Sequence, residues 1–167
     1  LLMGVTLVGV GTAVAASGPA IGVATATGSF VMDRAAVQGN GTVFDGAVIE
    51  TTKVTPDVVL NNGAKFRLGT ESRGKVYRDR LVSEKGAGQA TASSTFAVEA
   101  SKLRLVPSGS NAVAKIEIAR ANFIQIAALK GSLRVETSTG LALANMAEGM
   151  ALEFDTQAAG AATPMKL

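Results

Sequence analysis

The chain has 167 residues, 16 basic and 13 acidic side chains, a net charge of +3, and neither cysteine nor histidine. The missing residue types exclude disulfide staples, thiol chemistry, His-based acid–base catalysis and His-ligated metals, while the length suits one domain with a proper core. Apolar residues make up 47% but aromatics only 4%, with 19 glycines and no tryptophan, so small and β-branched residues broken by glycine favour short strands and tight turns over long helices.

The first charged residue is Asp33. The opening from Leu1 to Ala16 reads as the apolar region of an export signal, with Ala13-x-Ala15 or Val14-x-Ala16 as a small-residue cleavage step. It falls short of the roughly 20 residues that a spanning helix needs. A second reading keeps it as a working part of the protein. Leu1, Leu2, Val5, Leu7, Val8, Val10 and Val14 would then dock into lipid or into a neighbouring copy. Docking could add an edge strand to the neighbour's sheet or pack a helix through small residues. A pilin-like helix fits less well, because the start of the chain carries no Glu.

Ser17-Gly18-Pro19 breaks the pattern, which divides the chain into an apolar segment (1–19), a β-domain (20–157) and a low-complexity tail (158–167). Ala20 to Val31 alternates loosely, Gly39-Asn40-Gly41-Thr42 reads as a turn, and Val43 to Thr51 as a strand. Val58-Val59-Leu60 runs into Asn61-Asn62-Gly63, where Asn62-Gly63 predicts a two-residue hairpin turn with two positive-φ positions. Polar and apolar residues then alternate in 65–68, 75–78, 80–82, 96–99, 102–105, 115–118 and 132–136, with further strands at 122–126 and 151–154. The expected fold is all-β: a sandwich, or a short solenoid-like stack of about a dozen strands.

Three stretches carry a family likeness: Gly28-Ser29-Phe30-Val31, Asp45-Gly46-Ala47-Val48-Ile49-Glu50-Thr51, and Val58 to Ser72 with its Asn62-Gly63-Ala64 turn. With the later Leu81-x-x-Glu84-Lys85-Gly86 and Lys130-Gly131-Ser132-Leu133-Arg134-Val135, they resemble the FecR-like domain over residues 26 to 155. Thr70-Glu71-Ser72 lacks that family's usual proline. The resemblance implies an exported, non-catalytic all-β module of the bacterial envelope. The best-known members of the family relay an iron-uptake signal to a cytoplasmic anti-sigma segment, for which no room is expected ahead of the apolar stretch here.

The remaining chemistry is sparse. Glu153 and Asp155 share a strand face and could offer oxygens to Ca²⁺, but no Asp-x-Asp-x-Asp loop backs them. No glycine-rich loop leads into a helix with Lys-Ser/Thr, so no phosphate cradle forms. No metal, cofactor or catalytic set is expected. Lys65, Arg67, Lys75, Arg78 and Arg80 form a candidate face for an anionic polysaccharide or a lipid surface. With Tyr77 as the sole stacking residue among them, nucleic acid is not an expected partner. The expected role is a secreted structural subunit that assembles with copies of itself into an extracellular filament through its apolar segment. The alternative is a membrane-anchored envelope module that binds a polysaccharide or a partner protein.

Overall fold

A computed structural model describes residues 18–92, 95–109, 111–158 and 161–166. They form fifteen strands and no helix: β1 (Ala20–Met32), β2 (Ala35–Phe44), β3 (Ala47–Glu50), β4 (Asp57–Leu60), β5 (Lys65–Leu68), β6 (Arg73–Val76), β7 (Arg80–Ala92), β8 (Ala97–Ala100), β9 (Leu103–Pro107), β10 (Ala112–Arg120), β11 (Phe123–Lys130), β12 (Leu133–Thr137), β13 (Ala142–Met146), β14 (Ala151–Asp155) and β15 (Ala161–Met165). The all-β expectation holds.

The registers show how they stack. The first half of β1 pairs with β4 (Gly22 opposite Leu60) and its second half with β3 (Val31 opposite Glu50). β5 and β6 likewise follow one another along β7, with Phe66 opposite Ala90 and Val76 opposite Leu81. β3 joins β6 and β4 joins β5, so β1–β3–β6–β7–β5–β4 closes a six-strand ring. The ring is a flattened barrel. One face holds β3 and β6, the other holds β4 and β5, and the long strands β1 and β7 bend across both.

The bends gather at one pole and the hairpin turns at the other. At the bend pole, Thr51 Oγ1 donates to Gly69 O (2.5 Å) and accepts from Ser72 N (3.0 Å), while Ser72 Oγ accepts from Ala87 N (3.0 Å). Thr51 and Ser72 are buried, and these bonds satisfy backbone groups that the bends leave out of the ladders. At the turn pole, Arg78 N donates to Asp45 Oδ1 (2.8 Å), Asn62 Nδ2 to Arg78 O (2.7 Å) and Asn61 Nδ2 to Ala20 O (3.2 Å).

Beyond β7 the two faces continue separately. One layer adds β8, β9, β12 and β13; the other adds β10, β11, β14 and β15. β7 serves both, its first half pairing β8 in parallel (Arg80 opposite Ala97) and its second half pairing β10 antiparallel (Ala90 opposite Ala114). A single core runs between the layers, from Ile21 and Phe30 through Phe66, Leu81 and Phe96 to Ile126, Val135 and Phe154. Phe96 lies just ahead of β8 and stacks on Phe66, ring centroids 6.4 Å apart.

Four expectations are corrected. Gly39-Asn40-Gly41-Thr42 lies within β2, which β1 holds as its hairpin partner. Val43–Thr51 is two strands, because Asp45-Gly46 turns the chain (Gly46 φ +85). In the presumed tail, Ala161–Met165 pairs along β14. At Asn62-Gly63 only Gly63 has positive φ (+86), with Gly63 N donating to Leu60 O (3.0 Å) and Leu60 N to Ala64 O (2.9 Å), a turn with one extra residue. The two-residue turn with both φ positive is Asp33-Arg34 (+51 and +67), pinned by Val48 N donating to Asp33 Oδ1 (2.9 Å).

Candidate interaction surfaces

The proposed apolar docking residues Leu1, Leu2, Val5, Leu7, Val8, Val10 and Val14 lie outside the described residues. The five basic residues do not share one face. The bend at 69–72 sends β5 to one layer and β6 to the other, so Lys65 and Arg67 point outward from the first and Lys75 from the second. Arg78 sits in the turn between β6 and β7, and Arg80 opens β7.

Three of the five are already engaged. Arg67 donates twice to Asp57 (Nε to Oδ1 2.7 Å, Nη2 to Oδ2 2.6 Å), holding the Asp57 carboxyl below the usual carboxylate range. Arg80 meets Asp79 (3.1 Å) and Glu99 (3.5 Å). Its guanidinium also lies over the Tyr77 ring at 4.3 Å, with the Lys75 ammonium at 5.3 Å. A hydrogen bond with Tyr77 raises the Lys75 pKa above its ordinary value. These are paired, solvated strand faces with modest net attraction for an anion.

Among the described residues, the clefts are lined by side chains already committed to structural contacts. One opens at the bend pole, about 600 Å³, lined by Glu50, Thr51, Glu71, Ser72 and Arg73 among others. Arg73 bridges Glu50 (3.2 Å) and Glu84 (2.7 Å) there, and Thr51 and Ser72 spend their hydroxyls on the bends. A shallower groove of about 400 Å³ crosses the outer face of β4, β5 and β7 over Asp57, Val59, Lys65, Arg67, Gln89 and Thr91. Glu153 accepts from Gln125 Nε2 (3.0 Å), and Asp155 Oδ1 caps Gln157 N (2.8 Å), so both carboxylates serve local structure. Among the described residues no three acidic, Cys or His side chains are grouped to hold a metal ion.

The open strand edges are different. Among the described residues β2 pairs only with β1, β13 only with β12, and β15 only with β14. Every strand from β3 to β12, and β14, carries at least one charged residue; β1, β2, β13 and β15 carry none. Exposed edges are ordinarily blunted by charge, proline or bulges. Here the three outermost strands are all charge-free; Pro164 in β15, a register shift in β13 and the two register shifts along β1–β2 are the devices present there. Half-buried apolar residues packed on the core also collect at these ends: Ala26, Met32 and Val37 on β1–β2, Leu143 and Ala144 on β13. The sequence signal was available, as uncharged windows at 20–32, 35–44, 142–146 and 161–165, but only the topology shows that they are the margins.

No protein-family model matches the chain, and no curated protein does. Two crystal structures described as a putative anti-sigma factor from Parabacteroides distasonis ATCC 8503, at 2.50 and 1.65 Å resolution, share its fold. Each superposes with a TM-score of 0.57 over 71% of this chain, at 11% and 12% identity. The chain spans 59% of the length of those structures, less than two thirds. At that identity the likeness establishes the all-β architecture alone.

Proposed function

We propose that this protein is a non-catalytic, exported structural module of the bacterial envelope that works by assembling with copies of itself outside the cell. The observation that carries this reading is the inverted charge distribution. The strands that a neighbour could reach through backbone hydrogen bonds are the ones without charge, and nothing in the clefts is arranged for bond-making chemistry. The resemblance to FecR-like domains supports export and a structural or relay role.

A second reading has its own support. The fold shared with putative anti-sigma factors favours a membrane-anchored module that passes a signal by binding a partner protein, with Lys65 and Arg78 available to an anionic polymer.

Electron microscopy of the full chain beside one starting at Ala20 tests the two. Fibres from the full chain and monomers from the shorter one indicate a subunit that assembles through its apolar segment. Fibres from both keep the subunit reading and move the contact into the β-domain. Monomers from both, with the full chain needing detergent, point to the anchored binding module.

A further inference from the structure

We propose that assembly proceeds head to tail through the strand stack itself, with β2 of one copy seated across the free edges of β13 and β15 of the next. The inference rests on the self-assembly reading and names its contact surface.

The molecule contains the template for this junction. β7 is a bent strand whose two halves belong to the two layers, and it receives a separate strand on each half, β8 on one layer and β10 on the other. β2 is bent in the same way. Residues 35–38 pair with the second half of β1 and 40–44 with its first half, the change of layer falling at Gly39, φ +75. The opposite end of the stack presents one free strand per layer, β13 and β15. Placed there, residues 35–38 of a second copy run antiparallel to β13 and residues 40–44 parallel to β15, the mixture β7 already shows.

The layers also match in height. One consists of β2, β1, β3, β6, β7, β8, β9, β12 and β13; the other of β2, β1, β4, β5, β7, β10, β11, β14 and β15. Nine strands in each means that a copy adds the same rise to both layers, so a second copy meets both edges at once. At about 4.8 Å per strand the repeat is roughly 43 Å. The contact joins two different surfaces, so it does not close on itself, and it propagates as a filament. Apolar continuity comes from Met32 and Val37 on one side and Leu143 and Ala144 on the other, all half-buried in the single chain. Pro164 removes one donor from β15, so β13 carries the larger share.

The occupant is a second copy rather than an unrelated strand because of this double match of bend and layer count. A foreign peptide would satisfy one edge only.

The test uses the full chain and four exposed, non-core positions. Ala36 and Gln38 lie on β2, Ala142 and Asn145 on β13. With Lys at all four, like charges meet across the junction and sedimentation velocity should show monomer where the parent chain gives fibres with an axial repeat near 43 Å. Keeping Ala36→Lys and Gln38→Lys but changing the other pair to Ala142→Glu and Asn145→Glu should restore fibres, which a folding defect would not do. Far-ultraviolet circular dichroism and fluorescence of Tyr77, the only tyrosine, confirm the fold. Unaltered fibres from the four-Lys chain overturn the junction. If the chain starting at Ala20 also fails to assemble, the apolar segment carries assembly and the subunit reading survives without this contact. A parent chain that is monomeric at every concentration overturns both.

Discussion

The two halves of the molecule solve the edge problem of a β-sheet differently. Residues 20–92 close on themselves, because β1 and β7 each bend across both layers and leave the strands between them paired on both sides. Residues 97–165 return by hairpins within one layer before crossing to the other, so each layer runs out separately at β13 and β15. The switch falls between β7 and β8. There the chain crosses from the end of β7 to the start of β8 at the turn pole, and the resulting β7–β8 pairing is the only parallel one among the described strands. From that point the crossings lie at the turn pole, where Ser108 N donates to Ser132 O (3.0 Å) and Gly131 N to Glu148 Oε2 (2.9 Å). Closure comes from two 13-residue strands that bend across both layers; in the second half no strand does so, and even β10 and β11, of 9 and 8 residues, each stay in one layer.

The largest expected effect lies where the halves meet. Phe96 is fully buried and stacked on Phe66 of the barrel. Phe96→Ala should cost roughly 3–5 kcal/mol, read as a fall in the urea midpoint. Because one core spans both layers, Tyr77 fluorescence in the barrel and far-ultraviolet circular dichroism should report one coincident transition in the parent chain and in the variant. Two separated transitions would mean that the halves are independent units and that Phe96 does not join them.

A smaller effect is expected at the bend of β7. Gly86 has φ +77, and a Cβ there would lie 2.8 Å from the Ser72 Cα. Gly86→Ala combines the left-handed penalty, about 1–2 kcal/mol, with backbone crowding against the neighbouring bend, for a total of about 3 kcal/mol. Gly63→Ala, at φ +86 with open space around it, provides the contrast and should cost only the conformational part. Equal losses from the two substitutions in thermal unfolding would show that the 69–72 and 84–87 bends are not packed as described.

How much of this could be read from the sequence follows from where side-chain periodicity has meaning. The strands with one buried and one solvated face, such as Lys65–Leu68 and Lys115–Ile118, alternate plainly and were placed. β2 and β15 escaped because their burial contrast is weak: only Val43 of β2 is buried, and the first four residues of β15 are exposed on both sides. Asp33-Arg34 escaped because neither residue favours positive φ strongly enough to announce a turn; Val48, 15 residues on, holds it. The basic cluster misled for a related reason. Nearness in sequence from Lys65 to Arg80 spans a bend that puts β5 and β6 on opposite layers, and a single glycine, Gly69, with no proline in Thr70-Glu71-Ser72, is a weak mark for it. Glu71 at φ +53 is the residue that makes the reversal.

The smallest expected effect separates solvated pairs on the barrel from packing at its bends. Asp57 and Arg67 face each other directly across β4 and β5, and both are more than half exposed. The folded carboxyl titrates below its unfolded value. Its stabilisation is therefore complete above the unfolded pKa near 4 and is lost as pH falls through the lower folded value. Solvent screening limits such a pair to at most about 1 kcal/mol. Asp57→Asn should accordingly lower stability slightly at pH 7, and the difference from the parent chain should vanish once the pH lies below the lowered pKa of the folded carboxyl and shrink in high salt. Thr51→Val tests the other kind of contact. Its buried hydroxyl bonds to Gly69 and Ser72 involve no titrating group, so its loss should be indifferent to both pH and salt. A salt-independent loss for Asp57→Asn would mean that this edge of the barrel is held by packing around the carboxylate and not by its charge.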